Sequence, residues 1–242
     1  MNYPDPLAYT EDMRRSDKTM IRVKRQIADI IRLYKHDGAD LLEVGVNHGT
    51  QTMAYHSQFA NSGRLEGYDW KDFRDESLKD SIVFTKVDIE QERFPADDAS
   101  FDVVVCNQVF EHLKNIYLPL SEIWRVLKPG GLLIFSVPNL SCWHNCLFLS
   151  VGRQPTTTNI RGSHVRGYAI WDMSKFLTKN GLFKQLEVRG YGFPPFFKAR
   201  VYGPLRTYCH TPVWILSKTD KYGETWEDER RSAFTTTSFF DD

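Results

Sequence analysis

The sequence predicts an α/β protein built on a doubly wound, seven-stranded, mostly parallel sheet with helices on both faces and one antiparallel strand. Three observations carry this. From residue 38 onward, short apolar runs alternate with helical stretches, the pattern of parallel strands joined by crossover helices. The first strand runs straight into a turn holding Gly45 and Gly49 and then into a helix. The last two apolar runs read as an antiparallel pair.

Taken in order, residues 1–37 form an arm and a helix. The first sixteen are polar, with Pro4 and Pro6, and read as a loose arm. Met20, Val23, Ile27, Ile30, Ile31 and Tyr34 then recur at helical spacing, with Ser16 available as a cap and Gly38 as a stop. Residues 38–220 form the main domain. "ADLLEVG", "RLEGYD", "SIVFTKVD" and "FDVVVCN" read as strands, with "TQTMAYHSQFA" a helix after the first. "LPLSEIWRVLKPGG" places Leu120, Ile123, Trp124 and Leu127 on one helical face, and Pro129-Gly130-Gly131 is read as stopping that helix before the strand "LLIFSVP". Regularity breaks over residues 141–170, which are expected to cap an acceptor pocket. A helix near "WDMSKFLTKNG" and strands near "LEVRGYGF" and "PVWILSK" follow. The aromatic, proline-rich "YGFPPFFKARVYGP" is read as closing the site or meeting a second copy, and residues 221–242 as a flexible tail.

The chain has 242 residues, with Lys plus Arg and Asp plus Glu equal at 31 each, so its formal charge is zero. That balance disfavours a dedicated nucleic-acid binder. No secretory pattern or membrane-length apolar run is present, so the expected location is cytoplasmic. Cys106, Cys142, Cys146 and Cys209 are too few for a disulfide framework, and with His144 and His210 they match no usual zinc spacing. Aromatics at 14% suggest an apolar acceptor pocket.

In an open parallel sheet, ligands bind beyond the carboxyl ends of the strands. "EVGVNHG" lies at that edge. A dinucleotide-binding turn would carry a glycine where Asn47 stands and another at Thr50, and Glu43 suits a cationic ligand better than a pyrophosphate. The E-x-G-x-x-x-G pattern instead resembles the first motif of class I S-adenosylmethionine-dependent methyltransferases. Asp69 after "GYDW", Asp88-Ile89 in "KVDIE", and "FDVVVCNQVFEHL" with "EIWRVLKPGGLLIFSVPN" resemble the family's later motifs in order. The resemblance implies a Rossmann-like fold and S-adenosylmethionine as cofactor. It implies a binding set of Glu43, Gly45, Asn47, Gly49, Tyr68, Asp69, Trp70, Asp88, Ile89, Asn107 and Gln108. The chemistry agrees for Asp69, since one carboxylate can accept both ribose hydroxyls. Asp88 is equally a turn cap, and Tyr68, Trp70 and Ile89 are equally core residues.

Methyl transfer is an in-line displacement helped by alignment and, for a hydroxyl acceptor, by a general base. His112 and His164 are the candidates, with Glu111 beside them. Quinone-pathway and small-RNA-end O-methyltransferases carry E-x-x-E-H here and bind a divalent metal. This chain has Gln108 in place of the first carboxylate, so no metal is expected. Asn139 is read either as a substrate contact or as a helix cap, and Arg153, Arg161 and Arg166 either as anion contacts or as surface residues. The expectation is methyl transfer to a hydroxyl or phosphate-type oxygen of a small molecule, such as a sugar or glycan precursor, by a chain that could form a homo-oligomer. RNA-end or quinone methylation, and cofactor binding without catalysis, are the alternatives.

Overall fold

The computed structural model describes residues 18–34, 38–59, 63–193 and 197–236. The arm and its Ser16 cap lie outside these residues. Helix α1 spans Lys18–Tyr34, followed by β1 Leu41–Val44, α2 Thr50–His56, β2 Leu65–Asp69, β3 Val83–Lys86 and β4 Phe101–Asn107. Then come α3 Tyr117–Val126, β5 Leu127–Ser136, α4 Trp143–Ser150, α5 Ile170–Leu177, β6 Phe183–Phe193, β7 Phe197–Val201, β8 Thr211–Lys218 and α6 Trp226–Thr236. The sheet order is β3-β2-β1-β4-β5-β8-β6-β7. Strands β1 to β5 pair in parallel, and β8 pairs antiparallel with both β5 and β6.

Alternation along the strands sorts the core into two layers. Leu41, Val103, Val105, Ile134 and Ile215 face α1, which buries Val23, Ile27, Ile30 and Ile31 at the helical spacing read from sequence. Leu42, Val104, Cys106, Phe135 and Trp214 face the other way, onto α3 and α5. Tyr34 stands at the exposed end of its helix.

Three readings are corrected. The described strands number eight, because "FKARV" forms β7, an edge strand antiparallel to β6. Two strands, β7 and β8, therefore oppose the parallel set. Pro194-Pro195 ahead of β7 reads as punctuation, and five residues of alternation are too few to outweigh it. Second, α3 ends at Val126, before the Pro-Gly-Gly run. Leu127 already pairs with Phe101 and the register resumes at Leu132 with Val103, so Pro129-Gly130-Gly131 bulges from β5.

Third, the tail is no loose segment up to Thr236. Trp226 is 2% exposed, donates its indole N–H to the Phe176 carbonyl at 2.7 Å, and packs on Phe183. The Asp228 carboxylate accepts from Thr225 N–H and Oγ, which starts α6 with a capping box. Ser121 Oγ accepts the Glu227 N–H and Lys179 pairs with Glu229, which further ties down a helix whose other described side chains are largely charged.

Candidate functional site

The turn after β1 is built by backbone geometry. Gly45 has φ +82° and donates its N–H to the Tyr68 carbonyl at 2.8 Å; a Cβ there would meet Val109 Cγ2 at 2.5 Å. Asn47 is also left-handed, at φ +48°, a conformation that Asn tolerates better than most residues. Its N–H donates to Asp69 Oδ2 at 3.0 Å, while Trp70 N–H donates to Oδ1 at 2.8 Å. Two amides thus fix the Asp69 carboxylate at the carboxyl end of β2. Partial burial pushes its pKa up, and the amides oppose that shift.

Beside it opens a cavity of about 660 Å³. Of the sequence-predicted residues, Gly45, Asn47, Tyr68, Asp69, Trp70, Asp88, Ile89, Gln108 and His112 line it. Trp70 is 63% exposed and stands edge-on to Phe73, so an open aromatic wall faces the cavity. Tyr68 belongs mainly to the core, where it packs edge-on against Phe94 and donates its hydroxyl to Glu66. Asp88 also accepts from the Glu90 N–H and the Gln91 amide, the turn-capping role.

Glu43, Gly49 and Asn107 lie off the lining. Glu43 is 4% exposed and points to the α1–α2 layer, where it accepts a short hydrogen bond from Thr52 Oγ. Burial pushes its pKa up to about 8, against the Thr52 bond and the Lys24 charge. It ties α2 to β1 beneath the turn and does not face the cavity. Asn107 Oδ1, buried at the end of β4, has no partner among the described residues. Gln108 holds a strained φ of +59° and anchors its side chain on Ser136 Oγ.

Phe73, Val87, Glu90 and Leu113 line the cavity without having been singled out in the sequence. Glu90 Oε2 accepts the N–H groups of Lys114 and Asn115, pinning one wall. The adjacent pairs Val87-Asp88 and His112-Leu113 carried a signal, since each neighbours a residue already chosen. Phe73 carried none beyond its composition.

At the His112 edge of the cavity, Glu111, His112 and His164 converge, their ligand atoms all within 4.8 Å. Glu111 is 1% exposed, and its Oε2 has no partner among the described residues. Burial pushes its pKa up to about 8. The His112 and His164 rings meet edge-to-face at 4.8 Å. His112 Nδ1 lies 3.2 Å from the Ser163 carbonyl, and His164 Nδ1 lies 2.9 Å from the Thr157 carbonyl. A carbonyl only accepts, so each Nδ1 carries a proton, and each Nε2 is the ring nitrogen left to bond elsewhere. Burial lowers the His112 pKa, favouring the neutral ring. Such a set can accept a proton. It also has the donor chemistry of a divalent-cation site, although a metal was not expected here.

Asn139 is fully buried and used up within the fold: its amide donates to the carbonyls of Thr207 and Cys209, and its oxygen accepts from Ser141. It anchors the cap and leaves no group for a substrate. The four cysteines are free thiols, and no described helix is long and apolar enough to cross a membrane.

Residues 42–135 match the methyltransferase-domain family. A probable S-adenosylmethionine-dependent methyltransferase of Mycolicibacterium smegmatis is 46% identical over 59 residues, 23% of each chain. The highly reducing polyketide synthase azaB of Aspergillus niger is 29% identical over 133 residues, a match covering 47% of this chain but only 5% of the synthase. Among solved structures, an S-adenosylmethionine-dependent methyltransferase from Archaeoglobus fulgidus shares the fold, with TM-score 0.63 over 86% of this chain and 97% of its own at 14% identity. The Asp69 carboxylate, the bare Gly45 backbone and the aromatic wall fit a nucleoside carrying an amino-acid arm, which is the shape of the family's cofactor. With the motif order, the sheet and the family match in agreement, residues 42–135 carry a methyltransferase domain on a Rossmann-like fold, and S-adenosylmethionine is the cofactor that this domain supports.

Proposed function

We propose that this methyltransferase acts on a hydroxyl of a small molecule, with a sugar or glycan precursor the favoured class. The observation that carries the reading is the oriented imidazole of His112, at the edge of the cofactor cavity with Nδ1 on the Ser163 carbonyl and Nε2 3.9 Å from Glu111 Oε1. Bound S-adenosylmethionine supplies an electrophilic sulfonium methyl. The chain supplies placement and a proton acceptor. Asp69, through one or both carboxylate oxygens, would hold the ribose hydroxyls, and Trp70, Phe73 and Ile89 would flank the adenine. His112 Nε2 would take the proton of the acceptor hydroxyl as that oxygen takes the methyl group. An amine acceptor also sheds a proton, but water can take it after transfer, so a fixed base favours oxygen.

A second reading is supported by the convergence of Glu111 with two histidines: a divalent cation held there would lower the acceptor hydroxyl's pKa, in place of direct proton removal by His112. The test is transfer of labelled methyl to matched panels of hydroxyl and amine acceptors, sugars and sugar phosphates foremost, with and without a chelator. Transfer confined to amines would refute the oxygen reading. Loss of hydroxyl transfer on chelation, restored by a cation, would replace the base by the metal.

A further inference from the structure

Helix α4 is turned inside out. Its one buried residue is Asn145, whose side chain bonds the Asn139 carbonyl and Thr156, while Leu147 and Leu149 are 52% and 56% exposed. A helix packed on a core would show the reverse. The exposed aliphatic surface continues through Val151 and Ile160, the latter 87% exposed. Isolated exposed apolar residues are ordinary; a run of four on one segment marks a contact surface.

Charge identifies what it contacts. The chain is neutral overall, yet between Glu122 and Asp172 the sequence has no carboxylate side chain. Arg153 follows Leu147, Leu149 and Val151, Arg161 adjoins Ile160, and the two arginines share a shallow depression of about 590 Å³ with Gln154, Asn159 and Ile160. Among the described residues neither guanidinium has a carboxylate partner; Arg153 rests over the Phe148 ring at 5.4 Å. Exposed aliphatic side chains next to arginines that have no carboxylate partner among the described residues are the chemistry of an interface with an anionic lipid surface. Single-stranded nucleic acid would call for stacking rings, and the exposed side chains here are leucine, valine and isoleucine. A second copy packed about a two-fold axis would set this cationic patch against itself.

The surface also connects to the site. Asn145 holds Thr156, Thr157 holds His164, and His164 packs on His112. We infer that residues 147–161 dock the protein on an anionic bilayer surface, with aliphatics in the headgroup region and Arg153 and Arg161 on lipid phosphates. An acceptor presented at that surface would then lie beside the capped site.

The experiment is co-sedimentation of the full chain, saturated with S-adenosylhomocysteine, with vesicles of phosphatidylcholine alone or mixed with phosphatidylglycerol. Three proteins are compared: the natural chain, Leu147→Glu with Leu149→Glu, and Arg153→Gln with Arg161→Gln. Binding to the mixed vesicles is expected to fall about thirty-fold in the arginine variant and to vanish in the leucine variant. Calorimetric titration with S-adenosylhomocysteine should be unchanged in both, which separates loss of docking from loss of fold. Equal binding to both vesicle types, or none to either, overturns the proposal. So does concentration-dependent dimerisation abolished by the leucine variant without vesicle binding, which would make a second copy the occupant. Retention of a labelled single-stranded RNA in place of vesicles would likewise make it a nucleic-acid surface.

Discussion

The two sides of the site are finished to different degrees. On the cofactor side, carboxylates are already engaged by the backbone: Asp69 by Asn47 and Trp70, Asp88 by Glu90, and Glu90 by Lys114 and Asn115. On the opposite side, Glu111 keeps a buried oxygen without a partner among the described residues, and two imidazoles bond carbonyls through Nδ1. The first side is preorganised for one ligand shared across the family. The second holds groups whose satisfaction awaits a proton, a cation or a substrate.

The comparison can be broken or sharpened by substitution. The largest effect belongs to the opposite side: His112→Ala should lower kcat by roughly 10²–10⁴-fold with the affinity for S-adenosylhomocysteine unchanged. A parallel loss of affinity would place His112 on the cofactor side instead. Next, Asp69→Ala should weaken S-adenosylhomocysteine binding by roughly 10²-fold in a calorimetric titration, through lost charge-assisted bonds. Asp69→Asn, which keeps an oxygen for the two amides, should retain the melting temperature while still losing affinity.

A smaller loss is expected from Gly45→Ala. Its left-handed strain, about 1–2 kcal/mol, should lower the melting temperature by several degrees, and affinity should fall about ten-fold. Adding Val109→Ala removes the 2.5 Å contact but leaves the strain, so it should recover only part of the loss. The smallest effect concerns Glu43. Its pKa is about 8 in the fold against an ordinary 4.5, so the folded state keeps a proton that the unfolded chain releases. Its contribution is therefore complete below pH 4.5 and is lost as the pH rises through about 8. Glu43→Gln should flatten the decline in melting temperature across that window; an unchanged slope would show that Glu43 is not the group responsible.

Legibility followed the same division. The parallel strands, α1 and the Gly45–Asp69 corner were readable because local spacing and turn chemistry there agree with the final packing. Glu43 was legible as part of the turn motif but not in its direction, since the face a strand residue takes depends on which helices cover it. Asn139 and β7 depend on partners far along the chain, Cys209 and Gly190 among them. The tail's Thr225-Trp226-Glu227-Asp228 did carry a capping-box signal, masked by the charge around it. The meeting of His164 with His112 could not be read, because it requires the irregular cap to fold back across fifty residues of sequence.

That fold-back has a consequence for timing. Val165 and Arg166 donate their amides to the Glu111 carbonyl, and Ser163 holds the proton on His112 Nδ1. A cap that lifts to admit an acceptor would surrender all three bonds together. The ring would then be free to turn or change tautomer, and regain its reactive orientation only when the cap is again in place. If this turn closes over the substrate, it would also arm the imidazole, and entry and activation would become successive strokes of a single latch.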